Sequence, residues 1–97
     1  MSEHYILDGR KAIRADLMTW AKWFEKADRK VAHDIIGDAR ISTVFLGLDH
    51  SFGYGPKALF ETMVFGGPLD QEQERCTTWE QAEAQHAAMV NRVKEAP

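Results

Sequence analysis

Apolar and polar positions change their period several times along this chain, and each change marks an element. Tyr5-Ile6-Leu7 and Lys11-Ala12-Ile13 flank Asp8-Gly9, a pair suited to a tight turn because glycine takes positive φ at no steric cost. A short opening strand or hairpin follows from that. Asp16 then offers a carboxylate to cap a helix in which Leu17, Trp20, Ala21 and Phe24 recur at i, i+3, i+4 and i+7 as one apolar stripe. Trp23 falls at the edge of that stripe and Met18 well outside it. Lys30 to Ile36 could continue the helix, but Gly37-Asp38 and the run from Arg40 to Leu46 read better as two strands about a turn. Ala58 to Phe65 is the next strand, stopped by Gly66-Gly67-Pro68, and Gln73 to Cys76 fits one more short strand. The last element is a helix reaching about Lys94, opened by Thr77 with Glu80 or by Thr78 with Gln81 as a capping box. Its apolar face carries Trp79, Ala82, His86, Met89, Val90 and Val93.

The two middle strands are apolar on both sides. Ile41, Thr43, Phe45 and Gly47 share one face of the first, and Val44, Leu46 and Leu48 share the other. In the second, Leu59, Met63 and Phe65 lie with Glu61, opposite Phe60, Val64 and Thr62. A sheet with one wet face alternates more cleanly. These patterns predict an α+β domain with an antiparallel four- to five-stranded sheet and two helices packed on one face. The opening hairpin could cover part of the other face, but a second copy of the chain is the simpler cover, which predicts a homo-oligomer, dimer or higher.

Length and composition narrow the possibilities. Ninety-seven residues make a single domain, 1–97, and 44% hydrophobic with 28% charged residues is ordinary for a globular chain. With 12 Lys+Arg against 15 Asp+Glu, the chain lacks the concentrated basic surface of a non-specific DNA or RNA binder, although a small anion could still be held by a few arginines. Cys76 is the single cysteine, so no intramolecular disulfide is expected. The opening MSEHYILDGRK lacks the pattern of a secretory signal, and no apolar stretch approaches a membrane span; a cytoplasmic protein without membrane contact is the expectation.

Candidate chemistry concentrates in FLGLDHSFGYGP, residues 45 to 56. Asp49, His50 and Ser51 invite a triad reading, but consecutive residues on an extended chain point alternately to opposite faces and cannot converge. Asp49 and Ser51 are better suited to tightening a turn through side-chain to backbone bonds. Glycines let backbone approach a ligand, and Phe52 and Tyr54 could stack on a ring, so the loop has the parts of a small-ligand site without a phosphate-binding fingerprint. Arg40 and Arg75, with Arg29, could be gathered at one end of the sheet to meet an anion. Glu61 stands among apolar neighbours, to be paired with Arg40, Arg75 or Lys57 or to reach a ligand. His4, His33, His50 and His86 show no metal-site spacing, so neither a metal nor another cofactor is expected. His86, central in an apolar stripe, suits a core histidine satisfied by one hydrogen bond, with an acid–base role for His50 or His86 as the enzymatic alternative. Met18 and Trp23 are the side chains most available for an interface.

At ISTVFLGLDHSFGYGPKALFETMVFGG, residues 41 to 67, at TTWEQAEAQHAAMV, residues 77 to 90, and at DLMTWAKWFE, residues 16 to 25, the chain resembles a family of small uncharacterised proteins of phages and prophages. Where that family often has two prolines, this chain has Pro56 followed by Lys57. The resemblance brings no catalytic motif. It implies a non-enzymatic accessory protein that counters host defence, by sequestering a small anionic nucleotide-like signal in an oligomeric pocket or by binding a host defence protein.

Overall fold

A computed structural model of the protein describes residues 3–97. In chain order, strands β1 (Tyr5–Asp8) and β2 (Lys11–Arg14) precede helix α1 (Leu17–Lys26). Strands β3 (Lys30–Ile36), β4 (Ala39–Phe45), β5 (Phe60–Phe65) and β6 (Gln73–Cys76) then lead into helix α2 (Trp79–Glu95). The fold is α+β: β3-β4-β5-β6 form one antiparallel sheet in that order, and β1-β2 form a separate hairpin.

The face that α2 covers follows from the alternation of β4. Ala39, Ile41, Thr43 and Phe45 are buried, and their register partners on β5 turn Phe60, Thr62 and Val64 to the same side. Helix α2 lays Ala82, His86, Met89 and Val93 on that surface, a spacing of four, three and four residues that keeps them on one stripe. Its start is fixed by Thr78 and Gln81, the second of the two capping boxes open in the sequence, with Gln81 N donating to Thr78 Oγ1 at 3.1 Å. The core beneath α2 is split. Ile41, Val64, Met89 and Val93 pack at one end, and Phe45, Leu59, Phe60, Ala82 and Tyr5 at the other. Buried Thr43, Thr62 and His86 lie in the same covered surface, on α2 and the two central strands.

Helix α1 departs from its expected stripe. Leu17 is 58% exposed and Ala21 also faces solvent, while Trp20, Trp23 and Phe24 turn inward. Those three residues are themselves at i, i+3 and i+4, and their larger area decides which way the helix rolls. Trp23 stands edge-on to Phe45 with ring centroids 5.7 Å apart, so it packs within the fold instead of lying open for an interface; Met18 remains 68% exposed. The Trp20 indole N–H donates to Gly47 O at 3.0 Å. A Cβ on Gly47 would sit 2.7 Å from the Phe24 ring, and its φ of +79° is a glycine conformation, so this residue admits the helix to the sheet end.

Helix α1 and the hairpin both join α2's side of the sheet, through Trp23 on Phe45 and through Tyr5 in the core. The hairpin therefore does not help cover the opposite face, because Tyr5 N is tied to Gly47 O at 2.9 Å on the helix side. The shortest dimension of the molecule is 19 Å, about one helix layer on one sheet layer. Among the described residues, no helix is long and apolar enough to cross a membrane.

Candidate functional site

The hairpin, the end of the 46–59 segment and the start of α2 enclose a cleft of about 670 Å³. Each wall is set by local chemistry. The hairpin turn is Gly9-Arg10, with Asp8 paired to Lys11; Gly9 at φ +63° supplies the positive φ, and Arg10 is carried at the tip. Its guanidinium carbon sits 5.4 Å from the Trp79 ring centroid, within cation–π range, and its Nη1 is 4.0 Å from Glu83 Oε1. Lys57 forms a second wall, its Nζ 5.9 Å from the Tyr5 ring centroid. Thr77 Oγ1 donates to Lys57 O at 2.7 Å, which ties that wall to the helix start.

Three cations, Arg10, Lys11 and Lys57, line the cleft against two carboxylates, Asp8 and Glu80, in a chain whose net charge is −3. The N-terminus of α2 adds the positive end of a helix dipole. Tyr5, Leu59 and Trp79 supply apolar surface. Positive charge beside aromatic faces is the chemistry that holds an anion attached to a ring. The Trp79 indole N–H is buried and meets no acceptor among the described residues.

The 49–54 loop behaves as a turn. Asp49 Oδ1 accepts from Ser51 N at 2.9 Å and from Ala58 N at 3.0 Å. Partial burial works against the charged form of Asp49, but those backbone bonds and nearby Lys57 outweigh it and hold its carboxyl below the ordinary value. His50 N donates to Ala58 O at 3.0 Å, which closes the loop's base, and its ring stands near Phe52 with centroids 6.4 Å apart. Phe52 and Tyr54 are 80% and 83% exposed. The segment reaches the cleft through Lys57, and its aromatics do not line it.

The arginines are not gathered. Arg40 lies over Phe65 at 4.7 Å from the ring centroid, at the end of β4 opposite the 49–54 loop. Arg29 stacks on Phe24 at 4.2 Å and donates to Phe45 O at 3.1 Å. Arg75 Nε donates to Glu61 Oε2 at 2.9 Å, which chooses among the partners open to Glu61. Antiparallel register is the reason: Arg40 pairs with Phe65 and Arg75 with Glu61, four positions apart along β5.

A carboxylate–imidazole–hydroxyl chain does form, but from other residues. His86 Nε2 is 2.7 Å from Asp34 Oδ2, and His86 Nδ1 is 2.7 Å from Thr43 Oγ1. Thr43 Oγ1 is 2.6 Å from Thr62 Oγ1, which accepts from Gln85 Nε2 at 2.9 Å. A carboxylate can only accept, which assigns the proton of the neutral ring to Nε2 and makes Nδ1 an acceptor. Donation then runs one way, Gln85 to Thr62 to Thr43 to His86 to Asp34. Thr43 is 0% exposed, so no substrate carbonyl reaches its hydroxyl and the chain is structural. His86 is thus the expected core histidine, with two hydrogen bonds where one was expected. Burial, with the Glu74 charge, pushes the Cys76 thiol up to about 11, so it is a protonated thiol at neutral pH and a poor nucleophile.

Among the described residues, no cluster of three or more His, Cys, Asp or Glu side chains is placed to hold a metal ion. Arg10, Lys57 and Trp79 escaped the sequence reading because they come from three separate segments. The signal that could have found them is the Thr77–Thr78 cap beside an aromatic, a helix start able to face an anion. Comparison with protein-family models, with curated proteins and with solved structures found no match.

Proposed function

We propose that this is a non-enzymatic binding protein that holds a small anionic, ring-bearing molecule of nucleotide type in the cleft between the hairpin and α2. The observation that carries the reading is the placement of Arg10 over Trp79 facing Lys57 beside Tyr5, two cation–aromatic pairs about one cleft. The aromatic surfaces would take the ring, and Arg10, Lys11 and Lys57 the phosphate charge. Taken with the resemblance to phage and prophage proteins, the role is sequestration of a host defence signal in the cytoplasm of the infected cell. A second reading, a protein-binding inhibitor of a host defence complex, is favoured by Leu17 and Met18 standing exposed side by side at the start of α1.

Calorimetric titration of the full chain with mononucleotides, cyclic dinucleotides and ADP-ribose separates the two. Saturable heat, lost in Arg10→Glu and Lys57→Glu and kept in Phe52→Ser, supports the cleft, with the ligand recovered intact after denaturation. Absence of binding across that panel, or binding unmoved by both charge reversals, refutes it. The inhibitor reading instead predicts a host partner released by Met18→Glu.

A further inference from the structure

The face of the sheet turned away from α2 is arranged as a grid. By register, Arg40 and Phe65 form a row beside Ile35 at one end of β4 and β5. Ser42 and Met63 form the middle row, and Val44 and Glu61 the far row. Ile35 is 70% exposed and Phe65 38%, while Val44 and Met63 are half-buried only by their neighbours. The middle of this face is apolar and its charges stand at opposite ends. Arg40 and Glu61 are about 13 Å apart along the strands, so they cannot meet within one chain. Arg40 has an aromatic partner in Phe65 but no carboxylate partner among the described residues. Glu61 gives one oxygen to Arg75.

We infer that two copies of the chain pack through this face, related by a two-fold axis that lies over the Ser42–Met63 row and runs across the strands. Such an axis reverses the order of the rows. It lays Phe65 and Arg40 of one copy over Glu61 and Val44 of the other, and it repeats the Arg40–Glu61 pair at both ends. Met63 meets its own counterpart on the axis. The face measures roughly 20 Å by 20 Å, which with side-chain relief gives a two-copy interface on the order of 1,000 Å², near the lower bound for a specific association. The shape of one chain agrees. Its radius of gyration is 14.2 Å, whereas a chain of this length folded into a single globule would have about 12.5 Å. The cleft opens on the other side of the sheet, so this inference stands apart from the ligand reading.

Sedimentation velocity and native mass spectrometry of the full chain test it at micromolar concentration. The unaltered protein is a dimer. Arg40→Glu sets a carboxylate against Glu61 of the other copy, and Glu61→Lys sets an ammonium against Arg40 of the other copy, so each variant alone is monomeric. Mixed in equal amounts, they form a heterodimer, because both contacts across the axis are then attractive. Met63→Glu, which leaves the Glu61–Arg75 pair intact, also gives a monomer with an unchanged far-ultraviolet spectrum. A monomeric unaltered protein, a dimer that survives Met63→Glu, or a charge-swapped mixture that stays monomeric overturns the inference.

Discussion

Thr43→Val tests the polar chain beneath α2 with almost no change of shape. Valine matches threonine in volume, so what is lost is one hydroxyl joined to Thr62 at 2.6 Å and to His86 Nδ1 at 2.7 Å. Two buried groups are then stranded: the ring nitrogen that accepted, and the Thr62 hydroxyl hydrogen that was donated. At about 1–2 kcal/mol for each, Thr43→Val costs roughly 2–4 kcal/mol. Thr62→Val is milder, because Thr43 still donates to His86 and the Gln85 amide keeps Glu74 O at 3.0 Å. Its cost is about 1 kcal/mol. The double variant strands only the ring nitrogen, so its cost falls below the sum of the two by about 1 kcal/mol. Urea unfolding of the three variants reads these differences. Equal costs for the two single variants, or additive ones in the double, would refute the one-way donor assignment.

Two further outcomes follow from single residues. Gly47→Ala must hold positive φ and press its Cβ on Phe24, so it destabilises the fold by roughly 1–3 kcal/mol or detaches α1, read as a change in tryptophan emission on urea unfolding. The carboxyl of Asp49 is depressed in the folded state, so it adds stability above its unfolded value of about 4 that is lost as pH falls through the lower folded value. The unaltered protein therefore exceeds Asp49→Asn in urea midpoint at neutral pH, and the gap closes in acid; a gap that widens in acid contradicts the assignment.

What the sequence made legible is what local periodicity controls. The alternation of β4 and β5, the stripe of α2 and its Thr78–Gln81 cap all depend on residues within a few positions of each other. Asp49 as a turn former is local too, bonding two residues ahead. His86 could be recognised as a polar residue in an apolar stripe, but its partners could not. Asp34 and Thr43 lie 52 and 43 residues away, and only the register of β3 on β4 places them on one face. The roll of α1 was misread for a related reason: two stripes compete on that helix, and the choice is made by Phe45 and Gly47, which belong to the sheet. The cleft was invisible because it exists only once the hairpin docks beside the start of α2.

The loop and the cleft are joined by backbone alone. Asp49 holds Ala58 N and Thr77 holds Lys57 O, so the carbonyl of Lys57 and the amide that follows it are both fixed, on opposite sides, by side chains that do not touch the cleft's interior with their bonding atoms. A lysine on a free loop would lose side-chain and backbone entropy each time it met an anion. Here the backbone part is already fixed by folding, and only the side chain of Lys57 remains to be ordered. The loop residues that looked chemical thus act by placing a residue that did not. Asp49 contributes position, Phe52 and Tyr54 lie away from the cleft, and the charge that reaches it comes from the lysine that follows Pro56.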